Sequence, residues 1–158
     1  MSPGPRTLEE LLAIESIKQL KAQYFLLMDT KQWEAWRELF TDDVRILGGP
    51  DHDGRDAFVA FVRRYLEGAR TAHHGHTPII EVTGGSTARG TWAMSDDVLF
   101  PPGHPLSGPN PRRRGYGHYE EEYRCVDGEW KIASMRLSRL FMWEEPQPQL
   151  TTETGDPP

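Results

Sequence analysis

Apolar residues in the first part of the chain recur at the spacing of an α-helix. Between Thr7 and Asp29 they fall three or four positions apart, and no proline or glycine interrupts them. This is the pattern of one face of an amphipathic helix, and Thr7 with Glu10 has the residue types of a capping box at its start. The same spacing predicts a short second helix at 32–40 and a third helix at 55–68.

Alternating apolar and polar positions replace the helical spacing in the second half of the chain and predict β-strands. A Gly-Gly-Ser-Thr turn joins the two central strands. Asp127 and Gly128 join the last two, and an Asp-Gly pair is a strong signal for a β-hairpin. The predicted strands are 43–47, 73–83, 86–100, 116–126 and 129–143.

Helices that precede long strands predict an α+β fold, because the turns between the strands are too short for crossover helices. We expect a cone-shaped α+β roll, in which three N-terminal helices pack on a strongly curved, mainly antiparallel sheet. The interior of such a cone is a natural ligand pocket.

Proline and glycine mark the segments that are predicted to lack regular structure. The N-terminus, 1–6, and the C-terminal tail, 145–158, are predicted to be disordered. Segment 101–115 is predicted to be a flexible loop inside a single domain that spans 7–144.

Composition excludes several classes of function. The chain has 158 residues and a formal net charge of −6, and an acidic protein repels nucleic acid. Its one cysteine, Cys125, cannot form an intrachain disulfide, which favours a reducing, cytoplasmic setting. There is no signal-peptide pattern, and no apolar run approaches the roughly 18 residues that a membrane span needs.

Three histidines in four residues open the first central strand. In a strand His74 and His76 share one face and His73 points to the other. Two imidazoles with a carboxylate could bind zinc, but no third ligand follows at a recognisable spacing, so no metal site is predicted. His73 is the better candidate for a proton carrier, and His76 for a structural hydrogen bond.

Charged side chains also interrupt two apolar strand faces. Asp96 shares a face with Trp92 and Met94, and a carboxylate among apolar neighbours needs a partner. A histidine is the expected partner, although Asp96 could also be a structural anchor. Arg139 lies in another apolar row, where it binds a substrate anion or pairs with a carboxylate such as Asp29.

The chain resembles the SnoaL-like family of the nuclear-transport-factor-2-like superfamily over residues 8–143. Within it, the bile-acid 7α-dehydratases are the most similar group, and the scytalone dehydratases are more distant. The segments that carry the resemblance are A-I-E-S-I-K-Q-L-K-A-Q-Y-F-L-L-M-D, H-H-G-H-T-P-I-I-E-V, T-A-R-G-T-W-A-M-S-D, and V-D-G-E-W-K-I followed by Arg139.

The resemblance implies a small domain without a cofactor that forms a trimer or dimer. It also implies catalytic roles for Tyr24, Asp29, His73 and Asp96. Tyr24 could otherwise be an ordinary core tyrosine, and Asp29 could simply end the first helix. Five residues correspond to about 140° around a helix, so the side chains of Tyr24 and Asp29 meet only if the helix ends near Met28.

The first functional hypothesis is a dehydratase that removes water from an apolar, polycyclic hydroxy-carbonyl compound of the steroid or polyketide type. Tyr24 would hold the carbonyl oxygen and His73 would take the carbon-bound proton. Asp96 would orient His73 and Asp29 would protonate the leaving hydroxyl, with the roles of His73 and Asp29 exchangeable. The residues expected to contact substrate are Arg139, Trp92, Met94 and Phe61.

Three alternatives stay open from the sequence. The same pocket could isomerise or cyclise a ketone, or it could bind a small molecule without catalysis. An epoxide hydrolase of this fold would need an Asp-Arg-Asp set, which Asp29, Arg139 and Asp96 could supply. The arginine run 112–114 either contacts a phosphate-bearing carrier of the substrate or belongs to a solvated loop.

Overall fold

The computed structural model describes residues 4–50, 52–105, 107 and 110–146. Three helices, with β1 between the second and the third, precede the four long strands, which confirms the predicted α+β class. The elements are α1 (Leu8–Asp29), α2 (Trp33–Arg37), β1 (Phe40–Leu47), α3 (Gly54–Tyr65), β2 (Arg70–Gly84), β3 (Thr87–Leu99), β4 (Arg112–Val126) and β5 (Glu129–Glu145).

The strands form one curved sheet in the order β1-β5-β4-β3-β2. β1 runs parallel to β5, and the other neighbouring pairs are antiparallel. The β4–β5 hairpin turns at Asp127 and Gly128, whose φ angles are 52° and 86°. Two successive left-handed residues are what a type I′ turn requires, so the Asp-Gly pair forms the predicted hairpin.

The helices pack on one face of this sheet, α1 against β2 and α3 against β1. Thr7 caps α1, since the Glu10 backbone N–H donates to Thr7 Oγ1 at 3.1 Å. The Glu10 carboxylate accepts from the backbone N–H of Arg6 at 2.6 Å, one residue before the position that a capping box uses. Gly75 allows the close approach of α1 to β2, because a Cβ at this position would overlap the Phe25 ring. This packing places the C-terminal end of α1, and therefore Asp29, above the first residues of β2.

Aromatic side chains fill the space between the helices and the sheet. Trp36 and Phe40 are fully buried, and their ring centroids lie 4.8 Å apart in an edge-to-face arrangement. Tyr24 and Phe58 contact the same two rings. These rings form part of the hydrophobic core between the helices and the sheet.

The boundary between the second helix and the first strand differs from the prediction. α2 ends at Arg37 and β1 begins at Phe40, inside the segment predicted to be helical. The Ile132 backbone N–H donates to Leu39 O at 2.9 Å, so β5 draws this segment into the sheet. Local helical spacing could not reveal a strand partner that lies more than ninety residues away.

β4 begins at Arg112, although 112–115 was predicted to belong to a loop. Arg112 Nε donates to Asp97 Oδ1 at 2.9 Å and Arg113 Nε donates to Glu144 Oε1 at 2.9 Å. These cross-strand pairs extend the sheet beyond the glycine-rich segment. Glu145, predicted to begin the tail, is the last residue of β5.

Parts of the predicted flexible segments lie outside the described residues, namely 1–3, 106, 108–109 and 147–158. Within the part of the chain that the structure describes, no helix is both long and apolar enough to cross a bilayer.

Candidate active site

A cavity of about 260 Å³ lies between the helices and the concave face of the sheet. Its wall is mostly apolar and includes Met28, Phe61, Val98 and Leu137. Two larger grooves, of about 500 and 460 Å³, share Arg89 and Glu122, and several charged side chains line each of them. An apolar enclosure with a few convergent polar groups is the usual form of a small-molecule site, so the interior cavity is the candidate.

The polar groups of the cavity come from α1, α3, the loop before α3 and four strands of the sheet, β2 to β5. They are Tyr24, His52, Tyr65, His73, Asp96, Arg113, Tyr119 and Arg139. The structure therefore brings together on one wall Tyr24, His73, Asp96 and Arg139, which the sequence had nominated from four different elements. Asp29, the remaining predicted catalytic residue, is in contact with His73 behind this wall.

Asp29 and His73 form a hydrogen-bonded pair. His73 Nδ1 lies 2.6 Å from Asp29 Oδ1, and the His73 backbone N–H donates to Asp29 Oδ2 at 2.8 Å. The His73 side chain is only 7% exposed. With Nδ1 held by the carboxylate, Nε2 is the ring nitrogen that remains for a substrate.

The surroundings keep Asp29 ionised. Burial raises the pKa of this carboxyl, but the hydrogen bonds from His73 and Thr71 outweigh it, and the net pKa is lowered. Thr71 Oγ1 donates to Asp29 Oδ1 at 2.7 Å and accepts from Lys31 Nζ at 2.8 Å. Burial lowers the pKa of Lys31, while Asp29 acts in the opposite direction. Asp29 is therefore the acceptor in its contact with His73.

α1 ends directly after the residue that holds His73. Asp29 is the last residue of α1, and Lys31 adopts a left-handed φ of 61° that turns the chain away. Tyr24 and Asp29, five residues apart, therefore both serve the cavity without any unwinding of the helix. Tyr24 reaches the cavity directly, and Asp29 reaches it through His73.

Asp96 and Arg139 form a second pair with two-point geometry. Arg139 Nη1 donates to Asp96 Oδ1 at 2.8 Å and Nη2 donates to Oδ2 at 2.6 Å. Burial lowers the pKa of Arg139, but the hydrogen bonds and charge of Asp96 outweigh it and raise the net pKa. A Cβ at Gly115 would overlap the Arg139 guanidinium and Asp96, so this glycine makes room for the pair.

The predicted pairing of His73 with Asp96 was therefore wrong. Arg139 does pair with a carboxylate, which was one of its two predicted roles, but that carboxylate is Asp96 and not Asp29. His73 was expected to pair with Asp96, its neighbour in the β2–β3 register, and Arg139 with Asp29. Asp96 instead accepts from Arg139, whose long side chain reaches it from β5 across Gly115 of β4. The Asp-Arg-Asp set needed for an epoxide hydrolase is consequently not assembled, because Asp29 is engaged by His73.

Tyr24 and Tyr119 supply hydroxyl groups to the cavity. Both residues are at least 96% buried, and both line the cavity. Burial raises the pKa of both phenols above the ordinary value, so they stay protonated. Each phenol therefore carries an O–H donor that can serve a ligand in the cavity.

Tyr119 was not among the predicted site residues. The available signal was its register, because it lies directly opposite Trp92 on the neighbouring strand and alternates with Glu121 and Tyr123 on the buried face of β4.

Two of the predicted substrate contacts do not reach the cavity. Arg139 and Phe61 line it. Trp92 and Met94 are buried, at 5% and 1% exposure, in the core next to it. The Trp92 indole N–H donates to Tyr123 Oη at 2.8 Å, so its polar edge is used inside the protein. We therefore correct the predicted substrate contacts of Trp92 and Met94.

The arginine run is neutralised by neighbouring carboxylates. Arg112 and Arg114 both contact Asp97 and Glu145. Arg113 lines the cavity, contacts Glu144 and donates to Tyr65 Oη at 2.8 Å. Balanced charge of this kind argues against a phosphate-binding patch.

No group of three or more His, Cys, Asp or Glu side chains is arranged to hold a metal ion within the residues that the structure describes. His76 Nε2 lies 3.2 Å from Ser95 Oγ at an exposed position, and it points away from His73 as the alternation of a strand requires.

Comparisons with known proteins agree with this fold. A family model described as a SnoaL-like domain matches residues 9–136. A proposed scytalone dehydratase from Novosphingobium aromaticivorans is 19% identical with a TM-score of 0.75, over 90% of this chain and 98% of that one. A type 2 hexachlorocyclohexane dehydrochlorinase, LinA, is 16% identical with a TM-score of 0.78, over 93% and 98% of the two chains.

A Mycobacterium tuberculosis protein of unknown function is 26% identical with a TM-score of 0.69, over 82% of this chain and 77% of that one. The likeness to these structures is one of fold, and the predicted special similarity to the bile-acid 7α-dehydratases stays a prediction.

Proposed function

Because the chain belongs to the SnoaL-like domain family, we propose that it is a cofactor-independent hydro-lyase acting on an apolar hydroxy-carbonyl compound. The observation that carries the proposal is the Asp29–His73 pair, which presents an imidazole to a cavity that also holds the Tyr24 and Tyr119 hydroxyls. A base and a set of hydrogen-bond donors in one apolar cavity suit proton removal next to a carbonyl group.

His73 is the proposed base. Its Nε2 takes a proton from the carbon next to the carbonyl group, and Asp29 stabilises the imidazolium that results. This reverses the assignment of proton donor to Asp29 that the sequence suggested, because an ionised Asp29 with a lowered pKa has no proton to give.

The phenols receive the charge that develops on the carbonyl oxygen. Tyr24 and Tyr119 stay protonated because burial raises the pKa of both, so they can donate to that oxygen as an enolate forms. In the second step the carbon–oxygen bond to the hydroxyl breaks and a carbon–carbon double bond forms. The proton held by His73 joins the departing hydroxide, and the products are water and an unsaturated ketone.

Arg139 has a positioning role in this scheme. Its two-point contact with Asp96 fixes the guanidinium at the cavity wall, and about a third of its side chain stays exposed. The remaining N–H groups can orient a polar substituent of the substrate.

Cavity size limits the substrate. The volume of about 260 Å³ is below the roughly 300–1,000 Å³ usual for drug-sized ligands. We propose a fused-ring polyketide or steroid-like ketone whose reacting ring enters the cavity, with larger ring systems projecting through the mouth. Two structurally similar proteins, a dehydratase and a dehydrochlorinase, are also named after elimination reactions.

The test is a panel of β-hydroxy ketones with one to four fused rings, analysed by mass spectrometry. We expect a ketone of the panel to lose the mass of one water molecule in the presence of the protein, and to keep its mass with the His73→Ala variant. Conversion without a change of mass would replace the lyase by the isomerase or cyclase, which could use the same base and donors. If no ketone of the panel is converted, the remaining hypothesis is a protein that binds a small molecule without catalysis.

We also propose that the protein is a homo-oligomer, dimer or trimer. Leu140, Phe141 and Met142 of β5 are 65%, 55% and 51% exposed, and Tyr116, Phe141 and Trp143 form a stack with centroids 5.1–5.9 Å apart. Exposed apolar strips of this kind mark association surfaces. Light scattering after size exclusion should give a mass above that of one chain, and Phe141→Glu should lower it.

A further inference from the structure

Below the two cavity tyrosines lies a buried ion pair that the proposed reaction does not use. Lys21 of α1 and Glu121 of β4 both have fully buried side chains, and Lys21 Nζ lies 2.5 Å from Glu121 Oε1. Removing two charges from water is costly, and an apolar pair of similar volume often serves stability equally well. The presence of charge at this position therefore calls for a further explanation.

The lysine ammonium lies between the rings of the same two tyrosines that face the cavity. Its Nζ is 3.9 Å from the centroid of the Tyr24 ring and 3.8 Å from that of Tyr119. Both distances are within the range of a cation–π contact, which strengthens when the cation is removed from water. Lys21 is not part of the cavity wall, so it contacts the rings and not the ligand.

The carboxylate that holds this lysine is itself fixed. Tyr123 Oη donates to Glu121 Oε2 at 2.5 Å and accepts from Trp92 Nε1 at 2.8 Å. Burial lowers the pKa of Lys21, and its contact with Glu121 acts in the opposite direction. The chain of hydrogen bonds keeps the carboxylate in place. The other neighbours of the ammonium are the rings of Tyr24 and Tyr119 and, at 4.9 Å, the ring of Phe25.

We propose that Lys21, held by Glu121, is a positioning residue that fixes the rings of Tyr24 and Tyr119 and strengthens their hydroxyls as hydrogen-bond donors. A cation over a ring attracts its π electrons, which makes the phenol proton a better donor to an oxygen that gains negative charge. The inference rests on the proposed function, since it assigns to these hydroxyls the carbonyl oxygen of the substrate.

The experiment compares an anionic with a neutral probe, so that it does not depend on turnover. 4-Nitrophenol above its own pKa supplies a phenolate oxygen, and 4-nitroanisole at the same pH has nearly the same shape without the charge. Affinities are measured by calorimetry for the wild type, the neutral double variant Lys21→Met/Glu121→Gln and the surface control Lys18→Met. Lys18 lies on the same helix in an exposed pair with Glu15.

The wild type and Lys18→Met are expected to prefer the phenolate. The double variant should lose about tenfold in phenolate affinity, the order expected for one cation–π contact, with nitroanisole affinity unchanged. In a background that carries Tyr24→Phe and Tyr119→Phe, the Lys21 and Glu121 substitutions should cause no further loss, because their effect acts through the two hydroxyls.

Equal losses for both probes would overturn the proposal in favour of a structural role, and so would a loss that persists without the two hydroxyls. A wild type without any preference for the phenolate would overturn it as well. If the double variant does not fold, Lys21→Leu/Glu121→Leu takes its place, and failure of both to fold would show that the pair serves folding.

The dehydratase proposal can fail separately. It fails when His73→Ala leaves turnover intact or when no ketone is converted, and neither result changes the probe affinities.

Discussion

Two carboxylates of the cavity region have different kinds of partner. Asp29 holds the imidazole of His73, whose ring nitrogens can accept and donate a proton, whereas Asp96 holds the guanidinium of Arg139, which stays charged. The first pair can take up and release a proton, and the second can only fix a charge in place. We therefore assign proton transfer to the pair formed by the end of α1 and β2, and the positioning of the substrate to the pair formed by β3 and β5.

The largest effect is expected for the imidazole. His73→Ala should lower turnover by roughly 10²–10⁴, the range for loss of a general base, with a normal circular dichroism spectrum. A rate above about a tenth of the wild-type rate would show that another group is the base. The two carboxylate pairs would then no longer differ in their roles. His73→Gln, which keeps a hydrogen-bonding side chain but cannot take up the proton, is the matched control.

Breaking the fixed pair should change stability more than chemistry. Asp96→Asn leaves a partly buried guanidinium without its counter-charge, and we expect a loss of about 2 kcal/mol in the free energy of unfolding. This is below the range for fully buried pairs, because Arg139 is about a third exposed. Urea titration measures it. The double variant Asp96→Asn/Arg139→Gln should recover part of the loss, and no recovery would argue against direct coupling.

The Asp29 carboxylate should also contribute to acid sensitivity. Its pKa is lowered in the folded state, so its stabilising contribution is complete above the unfolded value of about 4 and is lost as the pH falls through the folded pKa. Asp29→Asn should therefore show a smaller decrease in the free energy of unfolding between neutral pH and acid. Parallel pH curves for the two proteins would contradict this.

The smallest effect is expected for Thr71→Val. The substitution removes the hydroxyl that donates to Asp29 and accepts from Lys31, and the expected change is about 1 kcal/mol in the free energy of unfolding. Turnover should fall by a few-fold, since Asp29 keeps both contacts to His73. Thr83→Val, at an exposed hydroxyl pair on the same strand, is the control.

Local sequence patterns predicted much of the fold. The spacing of Ile17, Leu20 and Tyr24 predicts the buried face of α1, and Asp127-Gly128 predicts the β4–β5 turn. These features depend on neighbours within a few residues, where propensity and periodicity carry the information. The start of β4 at Arg112 was missed because cross-strand ion pairs, and not local preference, extend it.

The sequence predicted only part of the candidate site. The four residues that line one wall were nominated by type and by resemblance, and His73 and Asp96 even lie opposite each other in the β2–β3 register. Their partners could not be read from that register, because Arg139 reaches Asp96 from two strands away and Asp29 reaches His73 from the end of a helix. Tyr119 joined the site through its contact with Tyr24, which has no local signature.

The sequence alone determined which segments are helices and strands, the α+β class and the acid–base residue types. Only the tertiary structure decided which carboxylate meets which cation, and that Lys21 lies between two cavity tyrosines. The physical reason is distance along the chain. Helix and turn signals come from residues a few positions apart, whereas Lys21 and Glu121 are 100 residues apart and meet only when α1 packs on the sheet.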